Sequence, residues 1–238
     1  MTQDSIHENL RRIEERIAHA AGRAGRKVDE ITLIGASKTH PAGAIREAFE
    51  AGVRHFGENR VQEWEGKRAG TEGLAATWHL IGHLQSNKAA RAARLFHSVD
   101  SVDDVGLAQR LDRARAEAGI TGKLRVLIEV RVAPEETKSG VEIAELPDLA
   151  EKILELPRLQ LAGLMCIPPF LEHAEQVRRY FHRLRILRDG LTKGFDMELS
   201  VLSMGMSHDL EVAIEEGATE IRVGTALFGQ RGIQAAGQ

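Results

Sequence analysis

The stretch Ile31-Thr32-Leu33-Ile34-Gly35-Ala36-Ser37-Lys38-Thr39-His40-Pro41, followed by Ala42 to Ala51, decides how this chain folds. Its first six residues form a short apolar run that suits a strand buried on both faces, and the residues after Pro41 change to helical spacing. One strand, one polar exit and one helix make a βα unit. The same change of period recurs downstream.

Upstream, Ile6, Leu10, Ile13, Ile17 and Ala20 fall at helical spacing, so Ile6 to Ala21 is predicted as an amphipathic helix packed on the rest. Downstream, strand Val53 to Gly57 is followed by helix Val61 to Ala69, strand Thr77 to Gly82 by helix Lys88 to Ala93, and strand Leu95 to Val99 by helix Val102 to Ala118. Strand Leu124 to Val130 precedes helix Ile143 to Leu156, and strand Leu159 to Ile167 precedes helix Leu171 to Gly190. Strand Glu198 to Leu202, helix Asp209 to Glu216 and strand Glu220 to Gly224 close the series. Eight strands separated by helices argue for parallel βαβ units, and in 238 residues they favour one α/β domain closed into a (β/α)8 barrel, with residues 1–23 as an added N-terminal helix. A doubly wound open sheet is the alternative.

The charge is nearly balanced, 32 Lys and Arg against 35 Asp and Glu, so no positive field would hold the chain on nucleic acid or anionic lipid. One cysteine, Cys166, excludes an internal disulfide. The charged start MTQDSIHENLRRIEER lacks an apolar targeting segment, and no stretch approaches transmembrane length. A cytoplasmic protein with small-molecule partners is expected.

In such a barrel the site lies where strands end and βα loops begin. Strand one ends in Ser37-Lys38-Thr39, strand two in Gly57-Glu58-Asn59, and strand three in Gly82-His83-Leu84-Gln85-Ser86-Asn87-Lys88. Strand seven ends in Ser203-Met204-Gly205-Met206-Ser207 and strand eight in Gly224-Thr225. Small and hydroxyl-bearing loops after strands seven and eight suit a phosphate, because bare backbone N–H groups approach an anion closely, although Gly and Ser also simply make turns. Lys38 would emerge into a partly desolvated mouth, where a free amine can form a Schiff base; position alone leaves it equally readable as a surface lysine. Arg222, among Ile221 and Val223, would be costly near the barrel centre without an acceptor. A pyridine nitrogen would serve, and an ion-paired arginine at the barrel end is the bland alternative.

Other candidates read more plainly. His79 and His83 share a strand face, but without a Cys or carboxylate at ligand spacing they are expected to be satisfied strand-end histidines, with no metal. Lys138-Ser139-Gly140 could form a second anion or aldehyde site or an ordinary capping turn. Arg178, Arg179, Arg183, Arg185 and Arg188 crowd one helix and are expected on its solvated face, and Cys166 as buried filler.

With Ser37-Lys38-Thr39, Phe56-Gly57-Glu58-Asn59, Trp78-His79-Leu80-Ile81-Gly82, Leu84-Gln85-Ser86-Asn87-Lys88, Lys138-Ser139-Gly140, Gly163-Leu164-Met165, Leu202 to Ser207 and Arg222-Val223-Gly224-Thr225 in order, the chain resembles the pyridoxal phosphate homeostasis protein family over nearly its whole length. The resemblance implies a fold-type III barrel like the alanine racemase N-terminal domain, with pyridoxal 5'-phosphate on Lys38. It also implies phosphate among Ser203, Ser207, Gly224 and Thr225, Arg222 at the pyridine nitrogen, and Asn59 and His79 at the cofactor's rim or face. His40, Arg60, His83 and His208 depart from residues frequent in the family and put rim contacts and loop shape in question.

An arginine at the pyridine nitrogen leaves the ring a poor electron sink. The one tyrosine, Tyr180, lies in a predicted outer helix, and no second domain carries an opposing base. The resemblance therefore implies a carrier that holds pyridoxal phosphate and passes it on, with apo forms of pyridoxal-dependent enzymes as candidate recipients, rather than a two-base racemase. A racemase-like enzyme using Lys38 as sole base is the alternative, and a lone barrel is expected to be a monomer.

Overall fold

The computed structural model describes residues 5–133 and 139–229. Helix α1 spans Ile6–Arg23 and starts at Ser5, whose hydroxyl accepts the Glu8 N–H while the Glu8 carboxylate accepts the Ser5 N–H. This reciprocal cap satisfies two otherwise orphaned donors. The buried stripe of Ile6, Leu10, Ile13 and Ile17 then lays α1 against the barrel's outer helices.

The strands are β1 (Thr32–Ala36), β2 (His55–Glu58), β3 (Thr77–Leu80), β4 (Ser98–Val102), β5 (Leu124–Glu129), β6 (Leu159–Met165), β7 (Val201–Ser203) and β8 (Glu220–Val223). They form a closed barrel in chain order, every neighbouring pair parallel, with β1 completing the ring against β8 through Thr32 to Gly35. Between and after them run α2 (Ala42–Ala51), α3 (Val61–Arg68), α4 (Ala89–Leu95), α5 (Val105–Glu117), α6 (Leu146–Leu154), α7 (Arg178–Phe195), α8 (Leu210–Glu215) and the short α9 (Thr225–Phe228). The barrel reading of the sequence is thus the observed architecture.

Side chains alternate across each strand. On β1, Gly35 faces outward against Leu227, Val53 and Phe56, so Ile34 and Ala36 face in, and Lys38 follows in the turn at the strand's exit. Inside, Ile34 and Ile81 lie over Gly57, where a Cβ would stand 2.7 Å from Ile81.

Beneath this apolar layer the interior is polar. His55 Nδ1 lies 3.0 Å from His79 Nε2, His79 Nδ1 3.1 Å from an Asp100 oxygen, and Arg125 donates to Ser98 Oγ at 3.1 Å and to Glu220. His55, Ser98 and Glu220 each begin their strand and Arg125 is second in its own, which sets the cluster at the N-terminal end of the barrel. Burial alone would raise Asp100, but His79 and Arg125 overcome it and hold the carboxyl below its ordinary range. Buried charge is tolerated here because it is paired.

The largest departure from the expected elements is the fourth strand. It runs from Ser98 to Val102 rather than Leu95 to Val99, α4 extends through Leu95, and α5 begins only after Asp104, whose side chain caps Leu107 N–H at 2.9 Å. Phe96 turns outward beside Trp64, and the inward strand positions carry Ser98 and Asp100, so the apolar run is offset from the strand. Helix α7 likewise starts at Arg178, behind a short 3₁₀ turn, rather than at Leu171, and β7 starts at Val201 rather than Glu198.

Candidate functional site

Lys38 follows Ala36 and Ser37 in the turn at the C-terminal end of β1 and is half-buried. Among the described residues its side chain has no hydrogen bond or ion pair, whereas the backbone on both sides of it is held. Ser37 N–H donates to Gly57 O at 3.0 Å, and Ser37 O accepts from Lys67 Nζ at 2.9 Å. Thr39 N–H donates to Glu63 Oε1. Thr39 has φ +65°, the left-handed region, an unfavourable place for a β-branched residue.

Arg222 projects inward from β8, is 4% exposed, and is fixed by two acceptors, Ser203 Oγ at 2.8 Å and the Cys166 carbonyl at 2.8 Å. Strands β6, β7 and β8 therefore converge on one guanidinium. Ser203 is fully buried and its hydroxyl oxygen accepts from Arg222. Glu129, last in β5 and on the same face as Arg125, is 5% exposed. Burial, reinforced by Asp103 and opposed by Arg222, pushes its carboxyl up to about 7.

The small loops after β7 and β8 meet as expected. Gly205 has φ +94°, and a Cβ there would stand 2.5 Å from that of Ala213, so only glycine makes this turn without displacing α8. Ser207 Oγ accepts the Ala226 N–H at 3.2 Å and ties the β7 loop to α9. Gly224 sits against the Ala36 carbonyl, and Thr225 is exposed. Met204 is buried in the core, whereas Met206 is partly exposed.

Asn59 is inward after β2 and half-buried, its backbone pressed against Gly82. His79 is not brought to the mouth. It is 1% exposed and locked between His55 and Asp100 in the lower polar layer. His83, 3.5 Å from Asp103, is remote from that layer's hydrogen bonds, so the two histidines do not act as a pair. The side chains of His79, Asp100 and Glu220 lie close enough to suggest metal ligands, but the Arg125 guanidinium already supplies the compensating cation.

The departures from the family pattern occupy rim positions. His40 stacks on Phe228 with ring centroids 4.6 Å apart, His208 lies 5.3 Å from the exposed Phe170, and Arg60 is exposed. Cys166 is fully buried and its thiol is pushed up to about 12, chiefly by burial, which makes it packing material. The arginines of α7 are not all solvated: Arg178 binds Glu175, Glu215 and Glu216, Arg183 donates to Val132 O, and Arg188 to Leu199 O. Lys138 lies outside the described residues.

Sequence reasoning missed Glu63, Lys67 and Glu129. Glu129 ends an apolar strand and could have been suspected from the cost of burying it. The other two are ordinary exposed-helix letters, spaced i, i+4, and only the fold brings them to Lys38.

The chain matches the family model for the alanine racemase N-terminal domain over residues 3–232. It is 48% identical over 224 residues to a pyridoxal phosphate homeostasis protein of Aquifex aeolicus, covering 94% of this chain and 97% of that one. PipY of Synechococcus elongatus PCC7942, solved with PLP bound, is 42% identical with a TM-score of 0.80, over 90% of this chain and all of that one. An alanine racemase of Clostridium difficile 630 superposes with a TM-score of 0.76 at 15% identity, over 97% of this chain and 58% of the racemase. That last likeness concerns the fold alone.

Proposed function

The chain belongs to the pyridoxal phosphate homeostasis protein family, built on the alanine racemase N-terminal domain, and from that premise we propose that it holds pyridoxal 5'-phosphate on Lys38 as a Schiff base and releases it again, without catalytic turnover. The observation that carries this reading is the placement, on two neighbouring strands of the barrel, of an unpaired half-buried lysine at the exit of β1 and a buried, doubly anchored guanidinium on β8. The donor set suits the group: a primary amine for the aldehyde, a fixed N–H donor in Arg222 for the pyridine nitrogen, and hydroxyl and glycine loops at Ser207, Gly224 and Thr225 for the phosphate. When bound, pyridoxal phosphate supplies an aldehyde and a conjugated ring that can take up electrons. Arg222, a donor held in place by Ser203 and Cys166, gives the ring nitrogen no proton and so weakens that second property.

The lack of turnover rests on what surrounds the site. The one tyrosine, Tyr180, lies on α7 outside the barrel, in contact with Arg179. Among the described residues no tyrosine faces Lys38 across the mouth. We place the protein in the cytoplasm as a monomer, with apo pyridoxal-dependent enzymes as recipients. No described helix is long and apolar enough to cross a membrane.

The test is a visible spectrum of the protein loaded with pyridoxal phosphate, followed by borohydride reduction and peptide mapping. The expected label falls on Lys38, and Lys38→Ala loses both the long-wavelength band and the label. A label that persists elsewhere at full yield would sink the assignment. Sustained, Lys38-dependent deuterium exchange at the Cα of an amino acid would instead favour a racemase-like enzyme.

A further inference from the structure

Both peptide groups flanking Lys38 are bonded by a pair of side chains on α3, residues Glu63 and Lys67, one helical turn apart, and the Ser37 carbonyl also accepts the His40 N–H at 3.1 Å, closing a turn over Lys38 and Thr39. Lys67 Nζ donates to the Ser37 carbonyl at 2.9 Å, and Glu63 accepts the Thr39 N–H. The two side chains are joined to each other at 3.1 Å. Lys67 also donates to both oxygens of Glu58 at 3.0 Å, and Glu58, fully buried, accepts the Ser37 hydroxyl at 2.7 Å. The segment therefore has its backbone clamped from one side while its functional side chain is left without a partner.

We propose that Glu63 and Lys67 are positioning residues for Lys38, holding the strand exit so that its amine is presented to the aldehyde in one place. The inference rests on the reading of Lys38 as the covalent anchor. Condensation joins Nζ to the aldehyde carbon as C=N, and the aldehyde oxygen leaves as water with the two amine protons. It requires an amine that approaches the carbonyl along a restricted path. A lysine stem carries much rotational freedom, so the part the protein can fix is the backbone beneath it. Thr39 shows that the backbone is being fixed against its own preference: its left-handed φ is held by the turn bond from His40 N–H to Ser37 O and by its own amide bonded to the Glu63 carboxylate. With the clamp gone, the turn bond from His40 N–H to Ser37 O is left alone to oppose Thr39's return to an extended conformation, and Lys38 is held less firmly.

The clamp acts on the covalent link and not on the phosphate or ring contacts, which come from β8 and from the loops after β7 and β8, namely Arg222, Ser207 and the start of α9. This separation gives the test its readout. Glu63→Ala and Lys67→Met are compared with the unaltered protein for two ligands: pyridoxal 5'-phosphate, and pyridoxine 5'-phosphate, which keeps ring and phosphate but has an alcohol for the aldehyde. The expected result is about a tenfold loss of affinity for the aldehyde, of the size of the order lost in one residue of backbone. Borohydride labelling at Lys38 falls in parallel, and the affinity for the alcohol is unchanged. Glu63→Gln, which keeps an acceptor for Thr39, is expected to recover part of the loss.

Equal losses for both ligands would overturn the proposal by showing general damage to the pocket, and so would aldehyde binding that stays at its original strength. Lys67→Met strips a buried carboxylate of its cation and endangers folding; Glu63→Ala, at a partly exposed position, keeps the proposal testable. If the unaltered protein itself took no label at Lys38, the anchor reading would fail first, and the two failures are thereby distinguishable.

Discussion

Glu129 and His55 are both displaced by burial, and the displacement gives them opposite effects on stability. Burial pushes Glu129 up to about 7, from an ordinary 4.5, so between those values the folded chain keeps a proton that the unfolded chain has released. Its contribution to stability is therefore complete below 4.5 and is lost as pH rises to about 7. The size is about 3 kcal/mol at 1.36 kcal/mol per pH unit. Glu129→Gln is expected to remove this slope, raising stability at pH 8 more than at pH 5 in urea unfolding; an unchanged slope would dismiss the assignment. Burial and neighbouring His79 lower His55 to about 4 from 6.5, so its contribution is present above 6.5 and is lost as pH falls towards 4. His55→Gln should flatten the acid side of the same curve. At this scale the place of Lys38 at the exit of an apolar strand and the need of Arg222 for an acceptor were legible, but that the acceptors are Ser203 and the Cys166 carbonyl was not, because they come from other strands. The resemblance implied His79 at the cofactor's rim or face; here Asp100 and His55 on neighbouring strands hold it deeper in the barrel, a depth that no local pattern encodes.

Elements meet most tightly between β6 and β7. A Cβ at Gly163 would stand 1.9 Å from the Val201 carbonyl oxygen, a backbone atom that cannot move without separating the strands. Gly163→Ala is expected to destabilise by about 3 kcal/mol or more. It should also weaken pyridoxal phosphate binding, since Cys166 and Ser203 hold Arg222 from these two strands. Thermal unfolding together with a binding titration checks both. Gly190, exposed on α7 with nothing near its missing Cβ, provides the contrast: Gly190→Ala should stabilise by about 0.5–1 kcal/mol. The order and type of the elements could be read from period alone, because each apolar run had to be covered on both faces. The fourth strand slipped because Ser98, Asp100 and Ser101 are polar letters in a fully buried strand. The Glu63–Lys67 clamp was illegible for a related reason: it exists only because α3 lies beside the exit of β1, which no local pattern encodes.

For the molecule as a whole, α1 is an addition outside the eight-fold pattern that the barrel nevertheless needs. It buries four large aliphatic side chains and is pinned by Arg16 to Glu211 and by Arg23 to Glu215. At about 1.5–3 kcal/mol per side chain the apolar burial is worth about 6–12 kcal/mol, comparable with the entire stability of an ordinary domain. A chain begun after residue 24 is expected to bind hydrophobic dyes and aggregate. Breaking the exposed Arg11–Glu15 pair should change unfolding by less than about 1 kcal/mol. Solubility and dye fluorescence separate the two outcomes.

The polar layer at the foot of the barrel also governs traffic. With His55, His79, Asp100, Arg125 and Glu220 interlocked below and Ile34 and Ile81 packed above them, the barrel is a cul-de-sac rather than a passage. If Lys38 is the tether proposed above, what it holds arrives and departs through the same doorway. A recipient protein that covers that doorway would take the departing molecule and shut out the next arrival in one movement, so handover and reloading cannot overlap in time.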